Sequence, residues 1–291
     1  MDVDYRIARY TFTVDAPRTV GIDALLPSFH PFRCMEAEGR KLFHFTLSGS
    51  RLPEVAETAL WETAVNDMGY TRLLKTASGY RVELQTMSQG VTHRMDADSA
   101  FTTLTAFIHM EDPYRGEALS SLLRIAYSQA VLLHAGISVH ASSVVVDGKA
   151  YLFMGKSGTG KSTHAALWTH GFPHCELLND DNPTICLQAG GTPYIYGTPW
   201  SGKTPCYRNA GYPLHGIALL RQAPYNRFTA CRDDEAFITV LPGCSVIRKD
   251  SILHDALCRT LASVVTEVPV GILECLPDKE AAAVLRNAFS S

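Results

Sequence analysis

The 291-residue chain lacks most of the features that would place it quickly. It has no run of about 18 uninterrupted apolar residues, which a membrane-spanning helix requires. It has no excess of basic charge: 26 Lys and Arg against 29 Asp and Glu leave a formal net charge of −3, which offers no field for nucleic acid or an anionic membrane. Its eight cysteines contain no C-x-x-C pair, so neither a disulfide framework nor a zinc site is read from them, and they count as reduced, mostly buried small hydrophobes. The opening "MDVDYRIARYTFTV" is acidic and alternating, unlike the basic start and apolar stretch of a secretory signal. No stretch reads N-K-x-D, the guanine-reading signature of ordinary GTPases. The expectation is a soluble cytoplasmic protein that binds neither nucleic acid nor membrane.

What the chain does have is organised in two halves. Up to about residue 112 it is rich in short β signals: "YRIARYTFTV", "KLFHFTLSG", "AFTTLTAFI", and "TRLLKTASGYRVELQTM", a hairpin bending at Ala77-Ser78-Gly79. No catalytic spacing occurs there, and residues 1–112 are read as a β-rich accessory region. The composition changes at Pro113, where residues 113–291 are read as the catalytic domain. It opens with a helix carrying Leu119, Leu122, Leu123, Ala126, Ala130 and Leu133 on one stripe, with Gly136 as its stop. "SVHASSVVVDGKAYLFMG" then gives two β runs around Asp147-Gly148, a strong hairpin signal.

The second run leads directly into "GKSGTGKST", residues 155–163, which matches G-x-x-x-x-G-K-[ST]. The context is the one the motif needs. "AYLFM" supplies a strand before the loop, and "KSTHAALWTHG" a helix after it with Gly171 as its stop. Gly155, Gly158 and Gly160 allow the backbone to wrap closely around phosphates, with Lys156, Ser157 and Thr159 between them. Lys161 supplies an ammonium for the β- and γ-phosphates, Ser162 a hydroxyl for Mg2+, and Thr163 ends the nucleotide-binding stretch at the helix start. Further on, "CELLNDDNP" gives a short apolar run, read as a parallel strand beside the first, that stops at Asn179-Asp180-Asp181. Two adjacent carboxylates at a strand end allow a division of labour, one holding Mg2+ and the other taking a proton from an attacking hydroxyl. The pair Asp233-Asp234 is read instead as a helix N-terminus. In "YGTPWSGK", Trp200 offers a stacking face and Lys203 a second cation for phosphoryl transfer; a buried Trp with a solvated Lys is the alternative.

Three stretches together, "VHASSVVVDGKAYLFMGKSGTGKST", "LLNDD" and "YGTPWSGK", resemble the C-terminal domain of HPr kinase/phosphorylase and its relatives, in the phosphoenolpyruvate-carboxykinase-like group of P-loop proteins. The resemblance spans roughly residues 134–275 and implies an α/β fold with a mixed β-sheet core. It implies ATP and Mg2+ as cofactors and transfer of phosphate to a hydroxyl: that of HPr, of free serine or of a serine on a peptide. By the same resemblance Asp180 is the base, Asp181 the metal-side carboxylate, and His140 a histidine beneath the loop near the phosphates. The N-terminal region does not resemble the regulatory domain of HPr kinase, nor is that enzyme's subunit-bridging C-terminal segment found. Assembly into a homo-oligomer is compatible with the resemblance but not fixed by it. Two other readings stand beside the kinase: a non-catalytic ATP-binding sensor or scaffold, and a carboxykinase-like lyase.

Overall fold

The computed structural model describes residues 2–35, 39–55, 58–66, 68–202 and 204–290. The chain divides into two compact units, Met1–Leu133 and His134–Ser291, each with its own mixed sheet and helices. This division falls after the helix that the sequence reading assigned to the second half. The difference has a packing cause: that helix lays its apolar stripe on strands of the first unit.

The first unit contains β1 (Asp2–Ile7), β2 (Tyr10–Asp15), α1 (Ile22–Leu25), β3 (Arg40–Leu47), β4 (Ala59–Asn66), β5 (Gly69–Lys75), β6 (Gly79–Gln85), β7 (His93–Asp98), β8 (Thr103–Phe107) and α2 (Arg115–Ala130). Among the described residues the strands form one sheet in the order β1-β2-β3-β8-β7-β6-β5-β4. It is parallel at β2–β3 and β3–β8 and antiparallel elsewhere. Leu119, Leu122, Leu123 and Ala126 are fully buried where α2 crosses β3, β6 and β7. The stop after α2 is Ala135, in the left-handed region at φ 58°, rather than Gly136, which begins the next strand.

The second unit contains β9 (Gly136–Ser138), β10 (Ala141–Val146), β11 (Lys149–Met154), α3 (Lys161–Gly171), β12 (Glu176–Asn179), β13 (Thr184–Leu187), β14 (Pro193–Tyr196), β15 (Gly211–Gln222), β16 (Arg227–Cys231), α4 (Asp233–Val240), α5 (Ser251–Glu267), β17 (Val270–Cys275) and α6 (Lys279–Ser290). The hairpin β10–β11 closes as the sequence predicts. Asp147 and Gly148 both take positive φ (53° and 74°), which matches the twist of a two-residue turn to that of its strands. The α3 helix packs on β10, β11, β12 and α6 through Trp168, which is fully buried between Tyr151, Phe153 and Phe172. Gly171 is the last helical residue, and the chain leaves at Phe172 with extended backbone. Asp250 caps α5, its carboxylate accepting from the Leu253 N–H at 2.9 Å.

One expectation is corrected. The strand β12 does not lie beside β11. It pairs antiparallel with β10, which itself pairs antiparallel with β11. Two antiparallel steps restore the direction, so β12 runs the same way as β11, one strand removed. On the other side β11 pairs parallel with β15, and β15 parallel with β17. The C-terminal ends of β11, β12, β15 and β17 therefore share one end of the sheet.

The first unit hides a titratable group in its core. His93 is fully buried, its Nδ1 accepting from the His109 N–H at 3.3 Å, which leaves the ring proton on Nε2 to donate to Asp112 Oδ2 at 2.9 Å. Burial pushes its pKa below the ordinary 6.5 despite the pull of the Asp112 carboxylate. A base with a depressed native pKa lets the unfolded chain bind more protons, so its contribution is complete above pH 6.5 and is lost as pH falls from there. Asp112 is itself held below the usual carboxylate range, first by the Tyr114 N–H, and adds a loss of the same sign at lower pH. Thermal unfolding of the wild type followed from about pH 7 to pH 5 should show a declining midpoint, and the H93Q variant a flatter one. Parallel slopes in the two proteins would disprove this account.

Candidate functional site

The site is built outward from the end of β11. After Met154 the chain wraps through residues 155–160, with Thr159 closing a turn: its N–H donates to the Lys156 carbonyl at 3.1 Å and its hydroxyl to the same oxygen at 2.7 Å. Gly158 and Gly160 sit at φ 80° and 108°, conformations that residues with a Cβ rarely adopt. Gly160 serves as the N-cap of α3, and the first helical bond runs from the His164 N–H to its carbonyl. The N–H groups of Lys161, Ser162 and Thr163 thus precede the helical ladder at the positive end of the helix dipole. Lys156, Ser157 and Gly158 are exposed at the loop's outer rim. From the end of β15, Gln222 leans on the loop, its amide 3.4 Å from the Gly158 carbonyl and 3.5 Å from that of Thr159.

Lys161 does not project into solvent. Its Nζ donates to the Gly155 carbonyl at 3.1 Å and lies 2.9 Å from His140 Nε2. On the far side of the ring, His140 Nδ1 is 3.2 Å from Asp181 Oδ1. An ammonium has no lone pair to offer, so Nε2 accepts and the ring proton resides on Nδ1, facing the carboxylate. Ammonium, neutral imidazole and carboxylate form a line across the strand ends. The main chain of His140 is fixed as well, its N–H donating to the Gly243 carbonyl at 2.9 Å.

The register explains how the aspartates arrive. Ser143 pairs with Asn179 and with Leu152, and the Ala141 N–H donates to the Asp181 carbonyl at 3.0 Å. Asp181 therefore lies in the row that ends at Met154, next to the glycine loop. Asp180 lies one row further in, 4% exposed. Its Oδ1 accepts from the Ser142 hydroxyl at 2.6 Å and its Oδ2 from the Thr204 N–H at 3.4 Å.

Asn179 sets this corner. It is fully buried, and its Oδ1 accepts from the N–H groups of Asp181 and Asn182 at 3.0 and 2.9 Å, forcing the turn that follows β12. Its Nδ2 donates to the Trp200 carbonyl at 2.9 Å and to the Thr198 carbonyl at 3.2 Å. In this way "GTPWSG" is strapped over the aspartates. The strap fits closely: a Cβ on Gly202 would stand 2.7 Å from the Asp180 carbonyl, and one on Gly197 would stand 2.1 Å from that of Arg208. Trp200 is 5% exposed and so is packing, not the stacking face that was one of two expectations for it. Lys203 lies outside the described residues.

Of the residues expected at the site, Lys161, His140 and Asp181 are in direct contact, with Asp180 in the adjacent row and Gly155 bonded to the lysine. Ser162 is half-buried in the first turn of α3 and is bonded to neither carboxylate. Among the described residues no group of three or more His, Cys, Asp or Glu side chains is arranged to hold a metal by itself. Asp181 and the Ser162 hydroxyl are each oxygen donors of the kind Mg2+ takes, an ion that ordinarily binds one or two protein oxygens and completes its shell with phosphates and water. Ser142, Thr198 and Gln222 were not foreseen. Only the two serines at the loop end of an otherwise apolar strand, "ASSVVV", gave a signal.

No protein-family model matches the chain, and no curated protein matches it. Among solved structures, the HPr(Ser) kinase/phosphatase from Coxiella burnetii is a distant neighbour at 14% identity and a TM-score of 0.30, covering 52% of this chain and 89% of that one. A likeness at that level carries no argument about function, and the site stands on its own geometry.

The N179A variant tests the role of the corner. It removes a buried side chain that satisfies two N–H donors and two carbonyls, and should destabilise the protein by roughly 3 kcal/mol, at the upper end of what leaving buried polar groups unpaired costs. Chemical denaturation gives the value. A loss below about 1 kcal/mol would mean that the strap holds without Asn179.

Proposed function

We propose that the second unit is a phosphotransferase that uses ATP and Mg2+ to phosphorylate a hydroxyl, most simply that of serine on a protein, a peptide or the free amino acid. The observation that carries this reading is the juxtaposition at one sheet end of the glycine loop, the Lys161–His140–Asp181 line and the separately held Asp180. A site that only bound phosphate would need the loop and the lysine. A second carboxylate, kept apart from the first by its own hydrogen bonds, adds a group that can take a proton.

In this reading the loop from Gly155 to Gly160 and the first N–H groups of α3 cradle the phosphates. Lys161 exchanges the Gly155 carbonyl for phosphate oxygens, and His140, released from the ammonium, keeps its bond to Asp181 and so its orientation. Ser162 and Asp181 would hold Mg2+, which when bound neutralises phosphate charge and fixes the nucleotide's orientation. Asp180 orients the acceptor hydroxyl and takes its proton as the oxygen attacks the γ-phosphorus. ADP then leaves with the electron pair of the broken P–O bond. The residues contribute position and electrostatics more than covalent chemistry, as this class of reaction demands.

One observation favours a second reading, a sensor that binds nucleotide without transferring phosphate: the strap that leaves Asp180 only 4% exposed. Transfer requires the strap of residues 197–202 to give way to the acceptor, whereas sensing does not. Nothing on the described surface favours the lyase.

Isothermal titration of ATP with Mg2+ into the wild type and K161A tests the cradle. Micromolar binding to the wild type and at least about a hundredfold weaker binding to the variant, equivalent to ~2.7 kcal/mol, is the expected result; equal binding would refute the assignment. D180N should retain binding and lose transfer to serine or serine-containing peptides. An active D180N would remove Asp180 as the base, and a wild type that binds tightly but phosphorylates nothing would establish the sensor.

A further inference from the structure

Ser142 occupies a position in β10 that its strand reserves for apolar side chains. Side chains alternate across a strand, so Ser142 shares its face with Val144 and Val146, and both valines belong to the core beneath α3 with Trp168 and Phe153. A fully buried hydroxyl in that row costs free energy unless it is bonded. Its donor is spent on Asp180 Oδ1 at 2.6 Å, the short range of bonds between a hydroxyl and an ionised carboxylate. The neighbouring Ser143 faces the other way and makes only a 3.4 Å contact with the Asn179 carbonyl.

Resting on the phosphotransferase reading, we propose that Ser142 is a positioning residue for the transfer step: it pins Oδ1 of Asp180 and so assigns Oδ2 as the oxygen that receives the acceptor's proton. Three observations converge on this. The Ser142 bond is short and fully buried, so Oδ1 is committed. The partner of Oδ2 among the described residues is the Thr204 N–H at 3.4 Å, a long bond that an incoming hydroxyl can replace. Thr204 lies two residues beyond the Gly197–Gly202 strap, the segment that must yield for an acceptor to enter. Ser142, by contrast, is a fixture of the central strand between β11 and β12, so the carboxylate keeps its plane when the strap moves. Ser142 itself never touches substrate.

The test compares S142A with the wild type using ATP and Mg2+, with free L-serine and a serine-containing peptide as acceptors. S142A should bind nucleotide within about twofold of wild type while kcat falls about 10- to 100-fold, a part of what a correctly held general base contributes. The KM for the acceptor should change little. The loss should vanish in a D180N background, where S142A adds nothing further, and S142T should recover much of kcat by restoring the hydroxyl. Should S142T fail to fold, the S142A and D180N cycle decides alone. Infrared spectra of protein carrying 13C-labelled aspartate, with the Asp180 band assigned by its absence in D180N, give a readout independent of turnover: S142A should shift that carboxylate stretch. Unchanged kcat, a loss of nucleotide affinity in step with kcat, or an unshifted band would each overturn the proposal. A wild type that transfers no phosphate overturns the transferase reading and Ser142's part in it; the infrared band then shows separately whether the serine orients the carboxylate.

Discussion

Everything at the site depends on β10 lying between β11 and β12 and running against both. A strand pair joined by the two-residue turn at Asp147-Gly148 must be antiparallel, and a third strand antiparallel to the middle one must point with the first. That geometric rule brings the end of "ELLN" to the same edge as the end of "AYLFM", although 20 or more residues separate the loop glycines from the aspartates. The register then sorts the carboxylates, placing Asp181 level with Ala141, next to His140, and Asp180 level with Ser142. Had β12 paired directly with β11, no strand would separate the loop from the carboxylates, and neither serine nor histidine would stand where it does.

The corner after β12 concentrates polar groups in a region that is otherwise dry. Asn179, Asp180, Asp181, Asn182 and Thr198 are each less than a tenth exposed. Such a cluster is tolerable only when its members satisfy one another, and here a single amide, that of Asn179, bonds the turn on one side and the strap on the other. Its reward is rigidity. A carboxylate held by a strand hydroxyl and the Thr204 amide has one orientation, whereas a solvated one has many. Among the described residues the buried Asn182 side-chain oxygen has no hydrogen-bond partner.

Much of this was legible in the chain. The hairpin at Asp147-Gly148, the strand–loop–helix around "GKSGTGKST", the α2 stripe and the N-terminal strands all follow from local patterns, because each is set by residues adjacent in sequence or one helical turn apart. Other elements were not. β7, "HRMDAD", turns His93, Met95 and Ala97 inward, and a buried histidine disguises the alternation. β4, "ALWETAVN", is exposed along most of its length and so lacks a core face to betray it. β12 was expected next to β11 because an apolar run of three residues carries no information about its partner. The loop chemistry was visible, but the Ser142–Asp180 bond was not: it joins residues 38 apart through a register that only the assembled sheet defines.

The docked lysine has a consequence for which ligands the loop can retain. A free lysine side chain loses up to about 2 kcal/mol of rotamer freedom when it is fixed. Here Lys161 is already ordered between a carbonyl and an imidazole, so that loss is borne by folding instead. Capture of an anion becomes an exchange of partners, and only a ligand whose oxygens outbid the existing acceptors gains from it. A diffuse monovalent anion offers little in such an exchange, while a polyphosphate reaching from the loop to the helix start offers several strong acceptors at once. Discrimination is thus written into the resting arrangement of one side chain.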